Sequence, residues 1–231
     1  MQKKTKLIAI ALTIAFLISP IPVFNLIHGQ TAKPKQATPI EPIRVACVGD
    51  SITQITNYTS DLQTMLGTNF SVGNFGVSGS TVTLSSFKPY MQQPQFQNAQ
   101  QFNPNIVIMM LGTNDAHYDT EKLEGNFQTD YNQLINSFQN LTSSPQIFVV
   151  DPPPVFNNTL GIDPGFFANT IIPEIQNVAS NQNLPQINVY NSFGDNANLT
   201  VDGIHPNSDG ANLIATQVSD AITSITNVTS S

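Results

Sequence analysis

The run Ile106–Leu111 (IVIMML) constrains this chain more than any other segment. Successive residues of a β-strand point to opposite faces, so an unbroken apolar run of strand length requires a sheet covered on both sides. Four further short runs read as strands: Ile43–Val48 (IRVACV), Phe70–Phe75, Gln146–Val150 and Ile187–Tyr190. Segments with helical spacing lie between and after them. Tyr58–Leu66 places Leu62, Met65 and Leu66 on one face, and Glu121–Asn140 does so with Phe127, Tyr131, Leu134, Ile135 and Phe138. Phe166–Asn181 is helical in part, with Pro173 expected to break or kink it. Asn207–Thr226 closes the chain with Leu213, Ile214, Val218, Ile222 and Ile225 on one face. Strands alternating with helices predict an α/β fold built on a five-stranded, parallel, doubly wound sheet.

Charge divides the chain. Only 10% of residues are charged, against roughly 25% in an ordinary soluble domain. Five of the eight basic residues precede residue 36, and all fifteen acids lie at or after Glu41. The formal charge of −7 therefore averages a basic leader with a domain carrying −12. Lys3, Lys4 and Lys6 precede the apolar stretch Leu7–Ile18. This order predicts that residues 1–29 are an export signal or an uncleaved membrane anchor, either of which places the domain outside the cytoplasm. Residues 30–41 (QTAKPKQATPIE) read as a linker and 42–231 as one domain. A surface this poor in Lys and Arg excludes nucleic acid as a partner and leaves membrane contact to the N-terminal segment alone. Cys47, the only cysteine, falls within an apolar run and reads as a small buried hydrophobe. Six Asn-x-Ser/Thr sequons occur, at Asn57, Asn69, Asn140, Asn157, Asn198 and Asn227; in so Asn-rich a chain many arise by chance, and they matter only where exported proteins are glycosylated.

In a parallel sheet, sites form at the carboxyl ends of the strands. The residues expected there are Gly49-Asp50-Ser51, Gly76-Val77-Ser78-Gly79-Ser80, Gly112-Thr113-Asn114-Asp115 and Asp202-Gly203-Ile204-His205-Pro206. Together they supply a serine hydrolase. A serine hydroxyl needs a base to take its proton, and His205 is the candidate. Asp202, three residues earlier, can fix the imidazole tautomer and stabilise its charge. The backbone N–H groups of Ser51 and Gly76 and the side-chain amide of Asn114 can receive a developing oxyanion. Taken singly, each block also reads as an ordinary turn or helix cap; the argument rests on their order and their placement after strands.

These four blocks resemble the SGNH, or GDSL-type, hydrolase family. The resemblance runs from Ile43 to the final helix. It implies a flavodoxin-like three-layer α/β/α sandwich, Ser51 as nucleophile, His205 as base, Asp202 as its orienter, an oxyanion hole of Ser51, Gly76 and Asn114, and no metal or cofactor. A finer similarity, through Asn74–Thr81, Lys88-Pro89-Tyr90, Leu111–Ala116 and Pro152–Phe156, is to the carbohydrate O-acetylesterase-like branch. It implies a short-chain ester substrate, an O-acetyl group on a carbohydrate. The chain departs from the family in having Ile52 where Leu is usual and a short link, Gln54–Asn57, into the next helix.

Asp50, Ser78, Asp115 and His117 stand close enough in sequence to the expected site to be candidate substrate contacts, although a loop position explains His117 as well. No Gly-x-Ser-x-Gly is present, so Ser78 is not expected to be a nucleophile. A lysophospholipase or thioesterase on the same fold is the alternative enzyme, and a catalytically silent binding protein the alternative outside enzymes.

Overall fold

The computed structural model describes residues 41–117 and 127–228. The leader, all of the linker but Glu41, and the Glu121–Asn126 part of an expected helix lie outside the described residues. Five strands, β1 (Ile43–Gly49), β2 (Phe70–Gly76), β3 (Ile106–Met110), β4 (Gln146–Asp151) and β5 (Gln186–Asn188), form one sheet in the order β2-β1-β3-β4-β5. All four pairings are parallel.

Two-residue periodicity sorts the side chains. Ala46, Val48, Val107, Met109, Ile147 and Val149 enter one core, and Val45, Cys47, Ile106, Ile108, Met110, Phe148 and Val150 enter the other. The first core is closed by α3 (Pro94–Gln101), α4 (Phe127–Gln139) and α6 (Ile172–Asn181). The second is closed by α1 (Ser51–Ile55), α2 (Tyr58–Leu66), α7 (Val189–Phe193) and α8 (Ser208–Val228). The expected three-layer α/β/α sandwich is therefore present. Because β1 feeds β2 on one side and β3 lies on the other, the strand order reverses at β1, and crevices form at such points.

Three elements differ from expectation. α3 has the sequence PQFQNAQQ, too polar to show an apolar period; only Ala99 is fully buried, while Phe96 packs edge-on to Phe138. β5 ends at Asn188 rather than Tyr190, because the Asn188 side chain accepts a hydrogen bond from the Asn191 N–H and caps α7. The segment expected as one helix at 166–181 is divided into α5 (Pro164–Phe166), a π-turn over Phe167–Ile171, and α6. Pro173, at the start of α6, lacks the N–H that would continue the ladder, as the kink expectation anticipated.

Ile108 is fully buried at the centre of the middle strand. Replacing Ile108 by Ala is expected to lower unfolding stability by about 2–5 kcal/mol. The same change at the exposed Met65 should stay within roughly 0.5 kcal/mol. Urea denaturation of both variants followed by circular dichroism checks the contrast.

Candidate active site

β1 ends at Gly49, and the chain turns at once into α1, whose first residue is Ser51. The turn is held by Asp50, whose Oδ1 accepts from the Ile52 N–H at 2.9 Å. At the far end of the chain, Asp202 organises its own loop. Its Oδ1 accepts from the N–H groups of Ile204 (3.0 Å) and His205 (2.8 Å), and its Oδ2 lies 2.7 Å from His205 Nδ1. His205 Nε2 lies 2.9 Å from Ser51 Oγ. An ionised carboxylate only accepts, so Nδ1 carries the imidazole proton and Nε2 is left to accept from the serine hydroxyl. Ser51, His205 and Asp202 thus form one hydrogen-bonded chain across 154 residues of sequence. Partial burial pushes the Asp202 carboxyl up, but the bonds from the His205 ring and from two backbone N–H groups outweigh it and leave the carboxyl below its usual range.

This chain opens into a cavity of about 300 Å³ lined by Ser51, Ile55, Ser78, Gly79, Asn114, His117, Leu160, Ile162, Ile204 and His205. Ser78 and His117 therefore lie where substrate contact was expected. Asn114 sits in a 3₁₀ turn over Thr113–Ala116. Its Nδ2 donates to Ser80 O at 2.9 Å, which fixes the amide while one of its two hydrogens stays available.

Gly76 is a correction. It ends β2 in register with Gly49, does not line the cavity, and donates its N–H to Asn74 Oδ1 at 3.0 Å. A Cβ there would lie 2.3 Å from the Gln54 backbone N, so the glycine serves the close approach of β2 to α1. The cavity glycine is Gly79, three residues on, with φ +74°. Among the described residues, the N–H groups of Gly79 and Ser51 donate to no protein acceptor. Gly79 belongs to the same Gly-Val-Ser-Gly segment; only the position where β2 stops distinguishes the two glycines.

Asp50 and Asp115 are also corrections, because neither faces substrate. Both are almost fully buried, at 1% and 4% exposure. The Asp115 carboxylate accepts from Val82 N (2.9 Å), Thr83 N (3.0 Å) and Thr83 Oγ1 (2.7 Å), which ties down the loop after β2. Asp50 Oδ2 and Thr113 Oγ1 are neighbours, yet neither makes a well-formed hydrogen bond. Burial raises the Asp50 carboxyl from 3.8 to about 7 against the lowering hydrogen bond from the Ile52 N–H, the nearby Thr113 hydroxyl and the field of His205. Burial likewise raises Asp115 to about 6, against the hydrogen bonds from Thr83 and Val82. The aliphatic walls Ile55, Leu160, Ile162 and Ile204 carry no motif and were not legible in sequence.

The raised carboxyls fix the sign of a pH effect. Between about pH 4 and pH 7 the folded protein holds protons on Asp50 and Asp115 that the unfolded chain has released, so stability falls as pH rises through that window. The depressed Asp202 acts oppositely, and only below its ordinary value of 3.8. The melting temperature should therefore decline from about pH 4.5 to about pH 7.5, and Asp50→Asn should flatten the decline. Differential scanning calorimetry across this range checks it; an unchanged slope in the variant would show that Asp50 does not carry the effect.

Comparison with known proteins bears on the family and the fold. Residues 47–213 match the model of the GDSL-like Lipase/Acylhydrolase family. An acetylxylan esterase of Xylanibacter ruminicola is 30% identical over 220 residues, which cover 84% of this chain and 46% of that protein. The chain thus spans about half the length of this curated relative. Among solved structures, the acetyl xylan esterase AlAXEase superposes with a TM-score of 0.65 at 20% identity, covering 78% of this chain and 100% of that one. The native aryl esterase of M. smegmatis superposes with a TM-score of 0.64 at 19% identity, covering 78% and 98%. With the family match spanning most of the domain and the fold shared, this chain belongs to the GDSL-like lipase/acylhydrolase family of ester-hydrolysing enzymes.

Proposed function

We propose that the chain is a serine esterase that removes short acyl groups, acetyl above all, from carbohydrate esters outside the cytoplasm. One observation carries the reading: the hydrogen-bonded sequence Asp202–His205–Ser51 ends with the serine hydroxyl at the wall of a small cavity. At about 300 Å³ the cavity lies at the lower end of ligand sites, a size suited to a short acyl group. The acetylxylan esterase relative supports the carbohydrate assignment, and the basic, then apolar, start of the chain supports export.

In this mechanism Ser51 Oγ attacks the ester carbonyl carbon while its proton passes to His205 Nε2. Asp202 holds the ring and stabilises the imidazolium. The tetrahedral oxyanion is received by the N–H groups of Ser51 and Gly79 and by Asn114 Nδ2. Collapse breaks the carbon–oxygen bond to the alcohol, which takes the proton from His205 and leaves an acyl-serine. Water, deprotonated by His205, then releases the carboxylic acid and restores Ser51.

Ser51→Ala and His205→Ala are expected to lower kcat on p-nitrophenyl acetate by about 10³-fold or more, with folding unchanged. Asn114→Ala should lower kcat by about 10²–10³-fold with little change in KM, because the amide acts on charge that forms only in the transition state. Acetate esters should be cleaved faster than octanoate esters. Retained activity in Ser51→Ala would overturn the mechanism, and a clear preference for octanoate would overturn the substrate class in favour of a lipolytic enzyme.

A further inference from the structure

We propose that Phe87 and His117 form a platform that binds the alcohol half of the ester, a pyranose ring, at the mouth of the cavity; this rests on the carbohydrate-esterase reading above. Among the described residues, the exposed large hydrophobics are Ile55, Met65, Phe87, Leu160 and Val201. Ile55 and Leu160 line the cavity. Phe87 is 65% exposed and stands edge-on to His117, with ring centroids 6.2 Å apart, and His117 lines the cavity. Three of these five thus gather at one cavity, Ile55 and Leu160 in its wall and Phe87 against His117, and clustered exposed apolar groups mark a binding site where scattered ones do not.

The ring is carried by a loop fixed from several sides. Thr81 N donates to Lys88 O (3.1 Å) and Tyr90 N to Thr81 O (2.9 Å), closing the base of the loop. Lys88 Nζ donates to Ser78 O at 2.8 Å. Asp115 holds Val82 and Thr83, and Asp130 Oδ2 accepts from Leu84 N at 2.7 Å. His117 is placed by a backbone bridge to Ile162, and a Cβ on Gly161 would meet its ring at 2.9 Å. A platform held this way loses little conformational freedom on binding.

The chemistry of the lining selects the ligand. Among the described residues, no Asp, Glu, Lys or Arg lines the cavity, and the nearby Lys88 ammonium is bonded to Ser78 O, so the described lining suits a neutral ligand. A pyranose offers apolar C–H faces and a hydroxyl edge, which match a phenyl ring beside an imidazole. A long acyl chain would need a continuous apolar wall, and Ser51, Ser78, Asn114, His117 and His205 interrupt it.

The test compares wild type, Phe87→Ala and Phe87→Trp on a per-O-acetylated disaccharide, ethyl acetate and p-nitrophenyl octanoate, with melting curves confirming that the exposed substitutions fold. Phe87→Ala should raise KM for the disaccharide about tenfold with kcat nearly unchanged, Phe87→Trp should restore it, and ethyl acetate should change by less than about twofold. An unchanged disaccharide KM, a parallel loss on ethyl acetate, or a loss confined to octanoate each overturns the platform. Where wild type prefers the disaccharide to ethyl acetate and Phe87→Ala keeps that preference, the carbohydrate reading stands and only the platform falls. Where wild type shows no such preference, the carbohydrate reading fails and the platform falls with it.

Discussion

Burial of a parallel sheet on both faces is the constraint from which the rest of this structure follows. Alternate residues of β1, β3 and β4 enter separate cores, each sealed by its own helices. The faces are thereby closed to chemistry, and the strand ends are what remain. Ser51 follows β1, Gly79 follows β2 and Asn114 follows β3, three adjacent strands in the sheet. Their convergence starts from the sheet register, which sets Gly49 level with Gly76 and Met110.

The second layer of organisation is made by buried carboxylates rather than by apolar packing. Asp115 gathers three donors of the loop after β2, and Asp130 gathers one more. Asp50 caps the helix that begins with the serine. Burying a carboxyl is unfavourable, and the raised Asp50 and Asp115 values are the measure of that cost. What it brings is placement: loops that would otherwise sample many conformations are tied to a few fixed oxygen atoms. In a domain with so few ionisable groups, each such tie is a large share of the available charge.

The sheet and the Ser51, His205 and Asp202 constellation were legible in sequence for the same reason. The strand runs are short and apolar, and the chemistry-bearing residues stand directly after them. Illegible parts each depended on tertiary information. α3 shows no apolar period because only a sliver of it meets the core. Gly76 and Gly79 cannot be ranked until the end of β2 is known. Asp50 and Asp115 read as polar loop residues beside a site; only the bonds from Val82 and Thr83 reveal that Asp115 faces inward, and only the turn into α1 beside Thr113 does so for Asp50. The leader and linker boundaries remain expectations of the sequence, since they lie outside the described residues.

The loop that carries His205 has a further consequence. It is closed on itself by Val201 N to His205 O at 2.8 Å and by the bridge between Thr200 and Pro206, and its Gly203 O accepts from Phe156 N at 2.8 Å. Asp202 and His205 thus travel together as one small unit, while Ser51 belongs to the sheet. Peeling that unit away would break the bond to Ser51 and the Phe156–Gly203 bond and would pull Ile204, which is 3% exposed, out of the first core. The imidazole is therefore seated by the same apolar packing that seals the sheet, so the Ser51–His205 bond and the core beneath it are expected to fail together rather than in sequence.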